Sequence, residues 1–270
     1  MSVITISRGT FSGGKLLAER LRDELDYRCV DRDVIVEKAA AYGVSQDELR
    51  TALEKPPGFL ERFRHKRYLY LALIQAALAE EVRAGKVVYQ GHVGHLLLKG
   101  GGPVFRVRVI APLEFRISMA QHRLKLTRNE VITYIRKIDQ DRKKWAHYLY
   151  GVDWEDASLY DLVINLHYID IEDACAIVAT AVRKQTCFQF DAGCQAAMDD
   201  LARASRIKAD IALNPETSDL ELEVVSENGV VRISGRAVDA DQIAEIRRTA
   251  GKVTDITKLN LDQVKLKTPD

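Results

Sequence analysis

Cysteine is scarce and unpatterned in this chain. There are four in 270 residues and none forms a CxxC pair, so neither a disulfide framework nor a zinc cluster is expected, and the sequence names no metal ligands. Cys29 and Cys175 sit in apolar runs and read as small core residues, while Cys187 and Cys194 fall where the sequence pattern changes. Long hydrophobic runs are missing as well. No stretch approaches the roughly 18 apolar residues of a membrane span, so no transmembrane segment is expected. The opening MSVITISRG has no basic region followed by a long apolar one, so no secretory leader is expected and a cytoplasmic location follows. An excess of one charge is also lacking: 40 Lys and Arg stand against 39 Asp and Glu, a net of +1. That balance excludes general affinity for nucleic acid or acidic membranes.

What is present is enough for a core. Hydrophobic residues make up 47% and charged residues 29%, and the length suits one large or two smaller domains. From Phe190 onward there are 11 basic and 15 acidic residues, a net of −4, so the front part carries +5. A mildly basic front half suits a phosphate-bearing ligand.

The front half alternates strands and helices. Residues 2–8 form a β-branched run that reads as a buried strand. It enters a glycine-rich turn, followed by LLAERLRDEL with apolar residues at helical spacing. Further strands are expected at 27–31, 86–91, 104–112 and 160–165. Helices are expected at 33–43, at 45–55 behind a Ser45–Glu48 capping box, and at about 59–84. Others follow at 112–125, after an N-capping Thr127, and at 170–184. Five strands alternating with helices predict an α/β fold: a three-layer α/β/α domain with a mainly parallel five-stranded sheet, its ligands beyond the carboxyl ends of the strands. After residue 186 the order becomes α-β-β-α-β, with a hairpin at Asn228–Gly229, which predicts a small separate α+β domain. The boundaries expected are 1–186 and 187–270, with no internal repeat and no low-complexity segment.

The glycine-rich turn carries the chemistry. Gly9-Thr10-Phe11-Ser12-Gly13-Gly14-Lys15 satisfies the GxxxxGK part of a phosphate-binding loop, directly after a strand and before an amphipathic helix. Glycines let backbone N–H groups approach phosphate oxygens, the helix offers its N-terminus, and Lys15 reaches the terminal phosphates. The hydroxyl residue that usually follows the lysine is replaced by Leu16, so Mg²⁺ has lost a customary ligand. Ser12, Thr10 or water remain as substitutes.

Beyond the loop, ITISR–GTFSGGK–LLAERL…CVDRDVI resembles the opening of the cytidylate-kinase-like family of phosphate-loop proteins. The resemblance continues in VVYQGHVGHLLL, in VIAPLEFRISMAQHRL, and in IRKIDQDRKKWAHYLYG–DW–YDLVIN, over roughly residues 2–184. It implies transfer of the ATP γ-phosphoryl group to a nucleoside monophosphate such as CMP, with Mg²⁺, a reaction that needs positioning and positive charge. It also implies roles. Lys15 and the loop, Gly9 to Leu16, would hold the donor. Asp31, Arg32, Gly91, His92 and Arg116 would hold the acceptor. Arg123 shares a helix face with Arg116, and Arg136, Asp139 and Arg142 belong to a helix resembling a mobile lid. His92 stands where the family commonly has arginine, and His95, one turn on, is available to assist. The stretch 59–84 would border the acceptor. Its RFRHKRYLY cluster and its apolar residues Phe59, Leu60, Phe63, Tyr68, Leu69 and Leu73 leave two readings open, nucleotide recognition and a homodimer face.

VVSENGVVRISGRAVDADQIAEIRRTAGKVTDITKLNL resembles a BON domain. The resemblance implies binding to a protein or lipid partner and no chemistry. Leu16, His92 and the extra domain keep two alternatives to an active nucleotide kinase: a nucleotide-binding regulator signalling through the BON-like domain, and a kinase for a non-nucleotide small molecule.

Overall fold

The computed structural model describes residues 3–54, 64–91, 93–184 and 191–266. Five strands form one parallel sheet: β1 (Val3–Arg8), β2 (Arg28–Asp31), β3 (Val87–Gln90), β4 (Val104–Ile110) and β5 (Leu162–Asn165), in spatial order β2-β3-β1-β4-β5. β1 is central, in register with β3 from Val3↔Val87 and with β4 from Val3↔Val104. Its residues Val3, Ile4 and Ile6 are fully buried and Thr5 and Ser7 nearly so, as expected of a strand covered on both faces.

The two faces have separate cores. On one, α1 (Gly14–Leu25) and α8 (Ile171–Lys184) pack Leu17, Leu21, Val178 and Val182 against Ile4, Ile6, Val107 and Val109. On the other lie α2 (Arg32–Ala40), α3 (Gln46–Glu54), α4 (Arg64–Val82) and the short α5 (Gly94–Leu97). There Ile35, Val36, Leu49, Leu73 and Leu78 cover Val3, Val30 and Val87. Each helix is amphipathic or buried because burial of one face drives its formation more than local propensity does. Above the carboxyl ends of the strands run α6 (Leu113–Leu124) and the long α7 (Arg128–Tyr150), which starts on a Thr127–Glu130 capping box and stops at left-handed Gly151.

The chain then enters α9 (Ala192–Leu213), the hairpin β6 (Glu223–Glu227) and β7 (Val230–Ala237), α10 (Ala240–Ala250) and β8 (Lys258–Leu266). β6 and β7 are antiparallel, β7 and β8 parallel, so the expected α-β-β-α-β order is the observed one. The turn holds Asn228 and Gly229 at positive φ and is fastened to α9 by the buried Asp200, which accepts from Ser226 Oγ, Asn228 N and Gly229 N. The separateness expected of this unit is not what the packing shows. α9 serves two cores: Ile207 and Ile211 face the small sheet, while Met198, Ala209 and Ala212 belong to the core beneath α4. Tyr68 on α4 donates to Leu222 O at 2.6 Å and accepts from Leu222 N at 3.0 Å, and Arg83 pairs with Asp199 at 2.6 Å. The apolar excess read at Tyr68, Leu69 and Leu73 is thus taken up within the chain, while Phe59, Leu60, Phe63 and Cys187 lie outside the described residues.

Candidate active site

The sheet changes direction at β1. Strands β2 and β3 lie on one side, β4 and β5 on the other, and a crevice opens above such a switch point. The loop Gly9–Lys15 fills it. Phe11 (φ 60°) and Gly13 (φ 88°) take left-handed conformations, and Gly13 caps α1 with no side-chain hydrogen bond and no acidic residue in the first turn. The helix N-terminus is therefore unblocked by the chain's own carboxylates, which suits an anion. Packing also dictates the glycines. A Cβ at Gly13 would lie 2.7 Å from Leu166, and one at Gly14 would lie 2.5 Å from the Arg8 stem.

Ser12 is fully buried and its hydroxyl lies 3.0 Å from both Gly9 O and Val109 O, tying the loop to β4. That removes Ser12 from the candidate metal ligands, because its oxygen faces the core. The Thr10 hydroxyl donates to Asp139 Oδ1 at 2.7 Å and accepts from Arg142 Nη1 at 3.0 Å. Thr10 to Leu16, with Ser118, Met119, His122 and Arg123, line a cavity of about 820 Å³. Lys15 Nζ lies 3.7 Å from Glu19 on the next turn, and Leu16 is 41% exposed beside it.

α7 closes over the loop. Asp139 accepts from Thr10 N at 2.9 Å and pairs with both Arg116 and Arg142. Arg116 Nε also donates to Thr10 O at 2.7 Å, and its guanidinium lies against Gly9. This places Arg116 on the loop side, away from the acceptor half where the sequence reading put it. Burial, with the like charge of Arg8 second, pulls the Arg142 pKa down to about 10. Arg136 does not join the cluster: it is exposed and lines neither cavity. Six residues of helix rotate it 120° from Arg142, while Ile135, Ile138, Asp139, Arg142 and Trp145 share the inward face.

A second cavity of about 270 Å³ adjoins the first, with Arg8 in the lining of both. Asp31, Arg32, Asp33, Gln90, Gly91 and Asp141 are among the residues around it. Asp31 also caps α2, accepting from Asp33 N and Val34 N. Gly91 and Gly94 leave room for the Tyr89 ring, whose atoms a Cβ at either would meet at 2.3 Å. Burial pushes the Tyr89 phenol up to about 12, so it stays protonated. His92 lies outside the described residues. His95 does not turn to the cavity as an assisting cation. It is buried against the Tyr160 ring at 4.9 Å, and burial, reinforced by Arg106 and Arg108, pulls its pKa down to about 4, so it is neutral at pH 7.

Arg8, Arg32, Tyr134, Ile138 and Arg142 line both cavities. The sequence reading missed Arg8, Tyr89, Tyr134 and Asp141. Two signals were available. Arg8 is the last residue of the strand feeding the loop, where ligands bind. Tyr134, Ile138 and Arg142 recur every four residues, one stripe on a helix.

The model of the cytidylate kinase-like family matches residues 3–168, and that of the BON domain matches residues 199–267. The chain is 29% identical over 188 residues to a cytidylate kinase of Staphylothermus marinus, covering 68% of this chain and 98% of that one. It is 30% identical over 186 residues to a cytidylate kinase of Ignicoccus hospitalis, again covering 68% and 98%. An uncharacterized protein from Eubacterium ventriosum has a crystal structure that superposes with a TM-score of 0.54 at 15% identity. The match covers 68% of this chain and all of that one, and is a likeness of fold alone.

Proposed function

The chain belongs to the cytidylate kinase-like family, and from that premise we propose that it transfers the γ-phosphoryl group of ATP to a nucleoside monophosphate resembling CMP. The observation that carries this reading is that two cavities share Arg8, Arg32 and Arg142 in their linings. One cavity begins at a glycine loop and helix N-terminus suited to a polyphosphate. The other holds carboxylates and cations at the ends of β2 and β3, suited to a second polar ligand. In-line transfer requires just such an arrangement, two ligands meeting end to end among fixed positive charges.

In this reading the loop N–H groups and Lys15 hold the donor, with Arg123 beside it. Lys15 leaves its exposed pairing with Glu19 to do so, an exchange that costs little because surface ion pairs are weak. Asp31, Arg32 and Gly91 border the acceptor. Arg116, Asp139 and Arg142 couple closure of α7 to occupation of the loop. No group of three His, Cys, Asp or Glu side chains among the described residues is placed to hold a metal, so Mg²⁺ would be carried on nucleotide oxygens and water, its common mode. The ion supplies charge neutralisation on the phosphates; the residues supply position. A cytoplasmic location, where ATP is supplied, belongs to the same proposal; among the described residues no helix is long and apolar enough to cross a membrane. The C-terminal unit takes a protein or lipid partner.

ADP release from ATP-Mg²⁺ against a panel of nucleoside monophosphates tests the proposal, with CMP expected to support turnover. Leu16 favours a second reading, a nucleotide-binding regulator. Tight ATP binding without turnover on any acceptor would replace the first reading with the second, and turnover only with a non-nucleotide small molecule would replace both.

A further inference from the structure

We infer that Arg8 is the catalytic cation at the meeting point of the two ligands, holding the transferred phosphoryl group. The inference rests on the kinase reading above and names a residue within it.

Three observations support it. First, place: Arg8 is one of three arginines that line both halves of the cleft. The other two ride on helices, Arg32 at the start of α2 and Arg142 on the covering α7. Arg8 alone stands on the central strand, paired in register with Val109, so its position does not wait for closure. Fixed charges that need no rearrangement are the most effective at stabilising a transition state.

Second, charge: no ion pair joins the Arg8 guanidinium to a carboxylate among the described residues. Its surroundings are mostly cationic. Arg32, Arg123 and Arg142 crowd it, and Asp31, which opposes them, spends an oxygen on the α2 cap. Burial and the neighbouring arginines hold its pKa below the ordinary arginine value. A partly buried cation that no described carboxylate pairs directly is costly unless an anion completes the site.

Third, shape: Gly14, in the phosphate loop, is glycine in part because the Arg8 stem lies across it, with Cδ, Cβ and Cγ at 2.5, 2.8 and 3.1 Å from where a Cβ would stand. The loop therefore holds the phosphates and aims Arg8 through the same residue.

In the reaction, an acceptor phosphate oxygen forms a bond to the γ-phosphorus as the bond to the β,γ-bridging oxygen breaks. The electron pair of that bond leaves on ADP. Arg8 keeps its protons and binds the equatorial oxygens, where negative charge is spread.

The experiment compares wild type with Arg8→Met, which keeps the stem over Gly14, and Arg8→Lys, which keeps the charge without the fork. Turnover with CMP and ATP-Mg²⁺, ATP binding by calorimetry and melting temperature are measured on each. Arg8→Met is expected to lower kcat about 100-fold or more, the usual scale for losing one preorganised donor, with ATP binding changed less than about threefold. Its melting temperature should hold or rise, because like-charge crowding is relieved. Arg8→Lys should recover part of kcat. Turnover in Arg8→Met within threefold of wild type overturns the inference. So does a loss of kcat matched by equal losses of ATP affinity and melting temperature, the mark of a structural role. If Arg8→Met fails to fold, full activity of Arg8→Lys overturns it and a kcat deficit at unchanged ATP affinity supports it. Wild type inactive on every nucleoside monophosphate defeats the kinase reading itself, and the inference with it.

Discussion

The two halves of the cleft are made of different material. The donor half centres on one continuous stretch, Thr10 to Leu16, which offers backbone N–H groups and a helix end. The acceptor half is assembled from the ends of β1 and β3, the start of α2 and one stripe of α7, and it works through side-chain charge. Backbone donors carry no net charge and need no counter-ion, and the loop is held by its own contacts: Ser12 bonds to the core and Gly13 packs on Leu166. The acceptor half depends on Arg8, Arg32 and Arg142, which it shares with the donor half and which are unequally compensated. One half is prepared by geometry, the other by electrostatic demand.

The sharpest way to break this contrast is at Lys15, an exposed cation of the donor half. Lys15→Ala is expected to lower kcat/KM by about 10²–10³-fold with little change in melting temperature, since its partner Glu19 is a surface one. A loss below tenfold in steady-state kinetics would mean that the backbone alone holds the donor.

Asp139 joins the two halves, and Asp139→Asn removes the charge that Arg116 and Arg142 share. Breaking a partly buried network of this kind typically costs about 1–3 kcal/mol, so calorimetry should record a melting temperature several degrees lower, and turnover should fall about tenfold. An unchanged melting temperature would remove Asp139 as the fastening of α7 to the loop.

His95 tests the wall behind the acceptor half. Its folded pKa of about 4 lies below the roughly 6.5 of an unfolded histidine, so the unfolded chain takes up the proton first as pH falls. The stability it confers as a neutral group is whole above pH 6.5 and declines between 6.5 and 4. The His95→Leu variant should lose less melting temperature than wild type between pH 7 and pH 5; parallel curves would show that His95 is not the buried proton acceptor described here.

Ser12→Ala should cost about 1 kcal/mol, the usual worth of a hydroxyl bond, and leave the Mg²⁺ dependence of turnover unmoved. A shift in Mg²⁺ requirement would return Ser12 to the metal. Smallest of all, Arg136→Ala should change kcat by less than threefold, because Arg136 stands on the outer face of α7.

The same contrast decides what the sequence discloses. The donor half was legible because its parts are adjacent: seven residues name the loop, and the strand before and helix after give its setting. The five-stranded sheet was legible for a related reason, since buried parallel strands read as unbroken apolar runs such as VITIS and VVY. The acceptor half was legible only in fragments. Asp31 and Arg32 are found by position after a strand, but Arg8 owes its place to a fold in which β1 is central, and Arg136 owes its exclusion to helical phase rather than proximity to Asp139. The direction of His95 was hidden as well, because burial against Tyr160 depends on residues 65 positions apart. Helix α9 was read correctly as a helix, but its second buried face became visible only beside α4.

That shared helix has a consequence for how the molecule comes apart. With Met198, Ala209 and Ala212 set in the core beneath α4, and Tyr68 bridging both backbone groups of Leu222, the seam near residue 190 is a boundary of sequence pattern and not a line of cleavage. Heating should melt both units in a single cooperative transition. A chain cut short before α9 would expose an oily flank on α4 and precipitate, and any natural relative built without the tail must carry a different outer surface on that helix.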